Sequence, residues 1–188
     1  MLGMLDRSLE AFLRDCHGDE AWRDILAAAN IRPEEFLSSA FTGRSRIRRI
    51  VLIAARKLGK APEDILEDLG AWLVQIEPIR RLLRFSGTSY GDFVLSLGEL
   101  PARAGMILAD MPEFGLAVVQ KGQGGFAILS RRLPPGWLNV LAGALRGMAD
   151  DYGTLALISV NGEAILLSIA LEGHAASRPF ALSFGEAQ

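Results

Sequence analysis

Phe114-Gly115-Leu116-Ala117-Val118-Val119, Gly122-Gln123-Gly124-Gly125 and Phe126-Ala127-Ile128-Leu129 follow one another closely in the chain. Two short apolar runs rich in strand-forming residues, separated by a glycine-rich turn, predict a β-hairpin. Everything before this stretch has a helical period instead. Leu2, Leu5, Leu9, Phe12 and Leu13 recur every three or four residues, as do Trp22, Ile25, Leu26 and Ala29, with Gly18 punctuating the two sets. Each set lines one buried stripe of a helix. Ile47, Ile50, Val51, Ala54 and Leu58 form another stripe that stops at Gly59, a helix cap. Pro33 and Pro62 stand before the acidic pairs Glu34-Glu35 and Glu63-Asp64, and proline at a first helical position followed by negative charge begins two more helices. The second of these runs through Ile65, Leu66, Leu69, Trp72, Leu73 and Ile76 until Pro78 ends it, and a shorter pattern, Tyr90, Phe93, Val94 and Leu97, comes next.

Beyond the hairpin, Pro134-Pro135 precede a helix lined by Leu138, Leu141, Leu145 and Met148. Leu155 to Val160 and Ala164 to Leu171 then flank Asn161-Gly162, the dipeptide suited to a tight turn with positive φ at both central positions. The order predicts an α+β domain: N-terminal helices, then a small antiparallel sheet of two hairpins with an intervening helix. One domain is expected over residues 1–171, with a less patterned tail at 172–188. In the tail Phe180, Leu182 and Phe184 alternate, which fits an edge strand, a segment packed on a partner, or a poorly ordered terminus.

Composition narrows the function classes. With 188 residues, 50% hydrophobic and 22% charged, the chain can build one sizeable core. No apolar run approaches the ~20 residues of a membrane-spanning helix, and the opening residues read as mature protein without a signal peptide, so a cytoplasmic location is expected. Cys16 is the only cysteine, which excludes an intramolecular disulfide. A net charge of −2 supplies no general drive toward nucleic acid. Arg44, Arg46, Arg48 and Arg49 are a local exception, read as a solvated helix face with ion pairs or as a docking surface for an acidic partner. The only histidines, His17 and His174, stand in no nucleophile turn or metal-ligand spacing. Glu34, Glu35, Glu63, Asp64, Asp150 and Asp151 fall at helix ends, where capping and the helix dipole explain them. No enzyme is expected.

Several segments together resemble one family in order and spacing. Met1-Leu2-Gly3-Met4-Leu5, Gly18 with Trp22, Ala61-Pro62-Glu63-Asp64-Ile65-Leu66 and Gly87-Thr88-Ser89-Tyr90-Gly91-Asp92-Phe93 are similar to the pattern of the haem nitric oxide/oxygen-binding (H-NOX) family. The resemblance runs from Met1 to about Leu171. It implies an H-NOX-like fold, haem as cofactor, and a sensory role exercised on a signalling partner such as a diguanylate cyclase or histidine kinase.

The resemblance also implies site residues. The family's haem-ligating histidine stands in a Leu-His-x-x-x-Gly-like context, matched here by Leu100-Pro101-Ala102-Arg103-Ala104-Gly105. Pro101 thus takes the proximal position without a nitrogen able to bind iron. It also lacks a backbone N–H, so the helix should kink or restart there. The family's Tyr-x-Ser-x-Arg motif for the haem propionates is matched by Ile128-Leu129-Ser130-Arg131-Arg132, which keeps Ser130 and Arg132 and replaces the tyrosine with Ile128. Pro112 matches the proline that presses on the porphyrin, and Trp137 and Leu5 are further pocket positions. The comparison also implies a shortened connection around Glu77 to Leu83.

Two readings follow. In the first, the chain is a non-catalytic H-NOX-like regulatory domain that works through its partner and is haem-free or altered in haem binding. The iron–histidine link by which the family moves its proximal helix is then absent, and bulky side chains such as Trp72, Phe93, Phe114 and Trp137 fill the pocket. In the second, it is a tetrapyrrole-binding gas sensor with a non-standard axial ligand, Cys16 and His17 being the first to test, or with none from the protein.

Overall fold

The computed structural model describes residues 2–32, 44–84, 87–107 and 114–171. The helix expected after Pro33, the Pro112 position and the 172–188 tail lie outside the described residues. Helix α1 (Leu2–Ala28) is broken at Gly18, whose φ of 86° no helical residue adopts, so the two expected helices meet at a kink. Helix α2 is Arg44–Leu58. Helix α3 (Pro62–Leu73) starts as expected, with Pro62 in its first turn and the Ala61 N–H donating to Asp64 Oδ2 at 3.3 Å.

Helix α3 ends at Leu73, three residues before Ile76, and Pro78 falls in the first turn of a separate helix, α4 (Glu77–Arg84). The apolar spacing of Leu73 and Ile76 survives because a tight turn, with Ile76 N–H donating to the Leu73 carbonyl at 3.1 Å, keeps them on one side. A proline disfavours helical backbone in the residue before it and suits a helix start, so the boundary precedes it. The stretch suspected of shortening is this regular helix.

Helix α5 (Tyr90–Ser96) opens on a reciprocal cap: Asp92 N–H donates to Ser89 Oγ at 3.1 Å and Ser89 N–H to Asp92 Oδ2 at 3.2 Å. The Ser89 side chain, the Thr88 hydroxyl and the Ser89 N–H, all bonding the Asp92 carboxyl, hold it below its usual range. A 3-10 turn at Leu97–Glu99 leads into α6 (Leu100–Ile107). Strands β1 (Gly115–Gln120) and β2 (Gly125–Arg131), helix α7 (Trp137–Asp151), and strands β3 (Leu155–Asn161) and β4 (Ala164–Leu171) complete the described fold. The antiparallel sheet has the order β1-β2-β4-β3, the two expected hairpins joined through the β2–β4 pair.

Two apolar cores result. Leu9, Phe12, Trp22, Ile25, Ile50 and Ile65 pack α1, α2 and α3 together. Tyr90, Phe93, Phe126, Ile128, Leu145 and Met148 pack α5 and α7 against one sheet face. Helix α7 serves both, because Val140 belongs to the first core and Ala142, Leu145 and Met148 to the second. Its seam with α3 depends on the absence of side chains. A Cβ on Gly143 would stand 1.8 Å from the Glu67 carbonyl oxygen, and one on Gly70 would stand 1.9 Å from that of Val140. Arg146 pairs with Glu67 across this seam and donates from Nη2 to the Ile158 carbonyl of β3 at 3.0 Å.

The far end of α7 is tied to α4. Asp151 accepts from Arg80 Nε at 2.8 Å and from Arg84 Nη1 at 2.6 Å, while the Arg84 guanidinium lies 4.7 Å from the Tyr152 ring centre. Burial alone would raise the Asp151 carboxyl, but the two arginines outweigh it and hold the group below its ordinary range. Tyr90, buried in the same core, donates its hydroxyl to the Leu145 carbonyl at 2.8 Å, and burial pushes its phenol up.

Candidate functional site

Helix α6 carries Pro101. Its first residue, Leu100, still donates its N–H to the Leu97 carbonyl of the 3-10 turn, and Pro101 follows at the point where a helix needs no donor. The helix restarts there as its proline requires. Pro101 is partly buried, Leu100 packs against the sheet-side core, and both the 3-10 turn and α6 lie against β1.

Ser130 sits opposite Leu116 of β1, on the core face that also holds Ile128. Its hydroxyl donates to the Glu163 carbonyl at 3.2 Å, and its own N–H reaches the same oxygen at 3.2 Å. The end of β2 is thereby fastened to the β3–β4 turn. Ile128, where the resemblance implies a tyrosine, is 0% exposed in the core. Arg132 leaves the strand in a left-handed conformation, φ 59°, and is exposed.

Among the described residues, the bulky side chains expected in the pocket pack in different places. Trp137 is the first residue of α7, partly buried behind Gly136. Leu5 lies on α1, with its side chain outside the described residues. Phe93 and Phe114 pack in or against the sheet-side core and Trp72 against the helical core beside Phe12, so these rings serve two cores rather than one pocket. The reason is tertiary: α3 and α5 lie on opposite sides of α7, which a linear spacing does not record.

A cleft the sequence did not indicate opens between α1 and the end of α3. It measures about 310 Å³ and is lined by Arg7, Ser8, Ala11, Trp72 and Ile76, near the lower bound for small-molecule sites. Trp72 closes one side by donating Nε1–H to Asp15 Oδ2 at 2.8 Å. Arg7, Ser8 and Ala11 share a helix face away from the buried stripe of Leu9, Phe12 and Leu13, and only that shared face could have drawn notice.

Donor chemistry for a metal or haem is sparse among the described residues, which hold no cluster of three or more His, Cys, Asp or Glu. His17 is partly buried, edge-on to Phe12 with ring centres 6.0 Å apart. Burial, with Asp15 and Asp68 nearby, pushes the Cys16 thiol up, away from the thiolate that binds metals. Pro101 and Ile128 offer no donor atom, and the Ser130 hydroxyl is engaged by Glu163. These residues do not fit the histidine-ligated, tyrosine-clamped haem that the resemblance implies.

The fold is shared with solved H-NOX structures. One is an H-NOX protein from S. oneidensis in the Fe(II)NO ligation state, 16% identical, with a TM-score of 0.73 over 92% of this chain and 100% of that one. A mutant H-NOX from T. tengcongensis is 14% identical, with a TM-score of 0.73 over 92% and 99% of the two chains. An oxygen-binding H-NOX domain related to soluble guanylate cyclases, in its oxygen complex, is 15% identical, with a TM-score of 0.65 over 92% and 96%. No curated protein matches the sequence. Similarity of this order carries the fold, and membership rests on the sequence model of the Haem-NO-binding family, which matches residues 2–160. With that match over the helical half, the Pro101 helix and most of the sheet, the chain belongs to the Haem-NO-binding (H-NOX) family.

Proposed function

We propose that this H-NOX domain is a non-catalytic regulatory module that acts by binding a signalling enzyme, a diguanylate cyclase or a histidine kinase, without a histidine-ligated haem. The observation that carries the reading is Pro101. It stands at the start of α6, where the resemblance implies the iron ligand, and it has neither a ring nitrogen able to bind iron nor a backbone N–H to offer. The fold is retained while the atom that would couple iron to that helix is missing. Signalling then rests on the protein surface and on the packing of the two cores about α7.

The test is enzymatic, on the partner. The purified chain is titrated into a diguanylate cyclase or histidine kinase encoded beside it, and product is measured with and without nitric oxide. A saturable change in activity that nitric oxide leaves untouched is the expected result. No change at any concentration would remove the regulatory role, and a change that depends on nitric oxide would establish the gas-sensor reading instead.

A further inference from the structure

The sheet has an inner face against α7 and an outer one on which several large apolar side chains stay exposed. Val119, Leu129, Leu157 and Leu166 project outward, with Leu155 and Leu171 paired at one end, and these six are 43% to 69% exposed. Ala127, itself buried, stands between Val119 and Leu166 across three strands, and Leu166 and Leu157 are diagonal neighbours on the paired strands β4 and β3, opposite Ser159 and Ser168. Of the large apolar side chains exposed among the described residues, only Leu52 and Leu95 lie elsewhere, and the charges bordering this face are Arg131 at the end of β2 and Lys121 just after β1. Patches of this kind mark an interaction surface.

Its size selects the occupant. Four strands ~4.8 Å apart and about six residues long at ~3.3 Å each give a footprint of roughly 400 Å². That is about half of the ~800 Å² each partner commits to a stable complex. A tethered segment needs less area, because its association is intramolecular. Residues 172–188 continue directly from Leu171 at the border of this face, and Phe180, Leu182 and Phe184 alternate along them with Ala181 and Ser183. Alternation places three large apolar side chains on one side of an extended segment. The eight residues from Glu172 to Pro179 can span up to ~26 Å, more than the length of the face.

We propose that Phe180, Leu182 and Phe184 fold back in cis and cover the outer sheet face over Leu129, Leu157 and Leu166. The inference is independent of the haem question and of the signalling partner. The test compares the full-length chain with a variant carrying F180S, L182S and F184S, using 8-anilinonaphthalene-1-sulfonate fluorescence and the molar mass in solution. The wild-type chain is expected to be a monomer that binds the dye weakly. The triple variant should be several-fold brighter, and adding Leu157→Ser and Leu166→Ser should return it to the wild-type level, since both side chains are exposed and lie outside the core. Equal dye binding by wild type and triple variant would overturn the proposal. So would brightness that survives the sheet substitutions, or a wild-type dimer dissolved by Leu157→Ser, which would make a second copy the cover.

Discussion

Gly143→Ala places a methyl group in the α3–α7 seam that joins the two cores. The new Cβ would stand 1.8 Å from the Glu67 carbonyl oxygen, whereas ordinary contact begins at 3.4 Å, so the helices must part locally by 3.4 − 1.8 = 1.6 Å. The obstacle is backbone, which cannot swing aside as a side-chain tip can. Overpacking a close-packed interior costs about 1–3 kcal/mol, and a clash against a carbonyl belongs at the upper end. Alanine returns about 1 kcal/mol of helix propensity. The net expectation is a loss of about 2 kcal/mol, which lowers the melting temperature of a chain this size by roughly 4–8 °C. Urea and thermal unfolding followed by circular dichroism measure it. Gly147→Ala is the internal control: its Cβ would meet the Val74 Cγ2 at 2.3 Å, a side-chain atom that a rotamer change can move, so the loss should be smaller. A Gly143→Ala protein as stable as wild type, or more so, would refute the argument, because propensity alone predicts a gain.

The Arg80–Asp151–Arg84 cluster makes stability depend on pH. The Asp151 carboxyl is held below its unfolded value, so its contribution is present above the usual aspartate range near ~4 and is lost as pH falls through the lower folded value. Asp151→Asn should remove that acid-side slope and cost about 1–2 kcal/mol at pH 7, since the pair is only partly buried. Denaturation curves at pH 7 and below 4 check both effects, and an unchanged acid slope in the variant would contradict the assignment. Tyr90→Phe keeps the ring in the core but leaves the Leu145 carbonyl without the 2.8 Å bond. A loss of about 1 kcal/mol is expected by urea titration, with no change in the pH profile between 5 and 8.

What could be read from the sequence was local chemistry. The second hairpin was legible from Gly162, but its turn lies one residue later than Asn161-Gly162 implied: Asn161 still pairs with Ala164 at the end of β3, the central residues are Gly162 and Glu163, and of these only Gly162, at φ 61°, has positive φ. Gly18 was legible because a break with φ 86° needs a residue without a side chain. The restart at Pro101 followed from the ring alone. The end of α3 was misplaced because Ile76 keeps the helical spacing across a turn, and periodicity cannot separate a helix from a helix followed by a turn on the same side. The site was less legible. Ser130 was recognised as a motif position, but its bond to the Glu163 carbonyl depends on pairing of β2 with β4. The cleft beside Trp72 joins α1 to α3, and the Gly143–Glu67 approach joins residues 76 apart, contacts that no local period encodes. Which side of the sheet would be left bare was equally hidden, since β4 is apolar on both faces.

The proposed absence of a histidine-ligated haem is tested by the absorption spectrum of the chain expressed with ample haem, beside that of Pro101→His prepared in the same way. A stoichiometric Soret band is expected only in the variant, where an imidazole is supplied at the start of α6. A strong, stoichiometric Soret band in the wild-type protein would contradict it and make His17 and Cys16 the first ligands to replace.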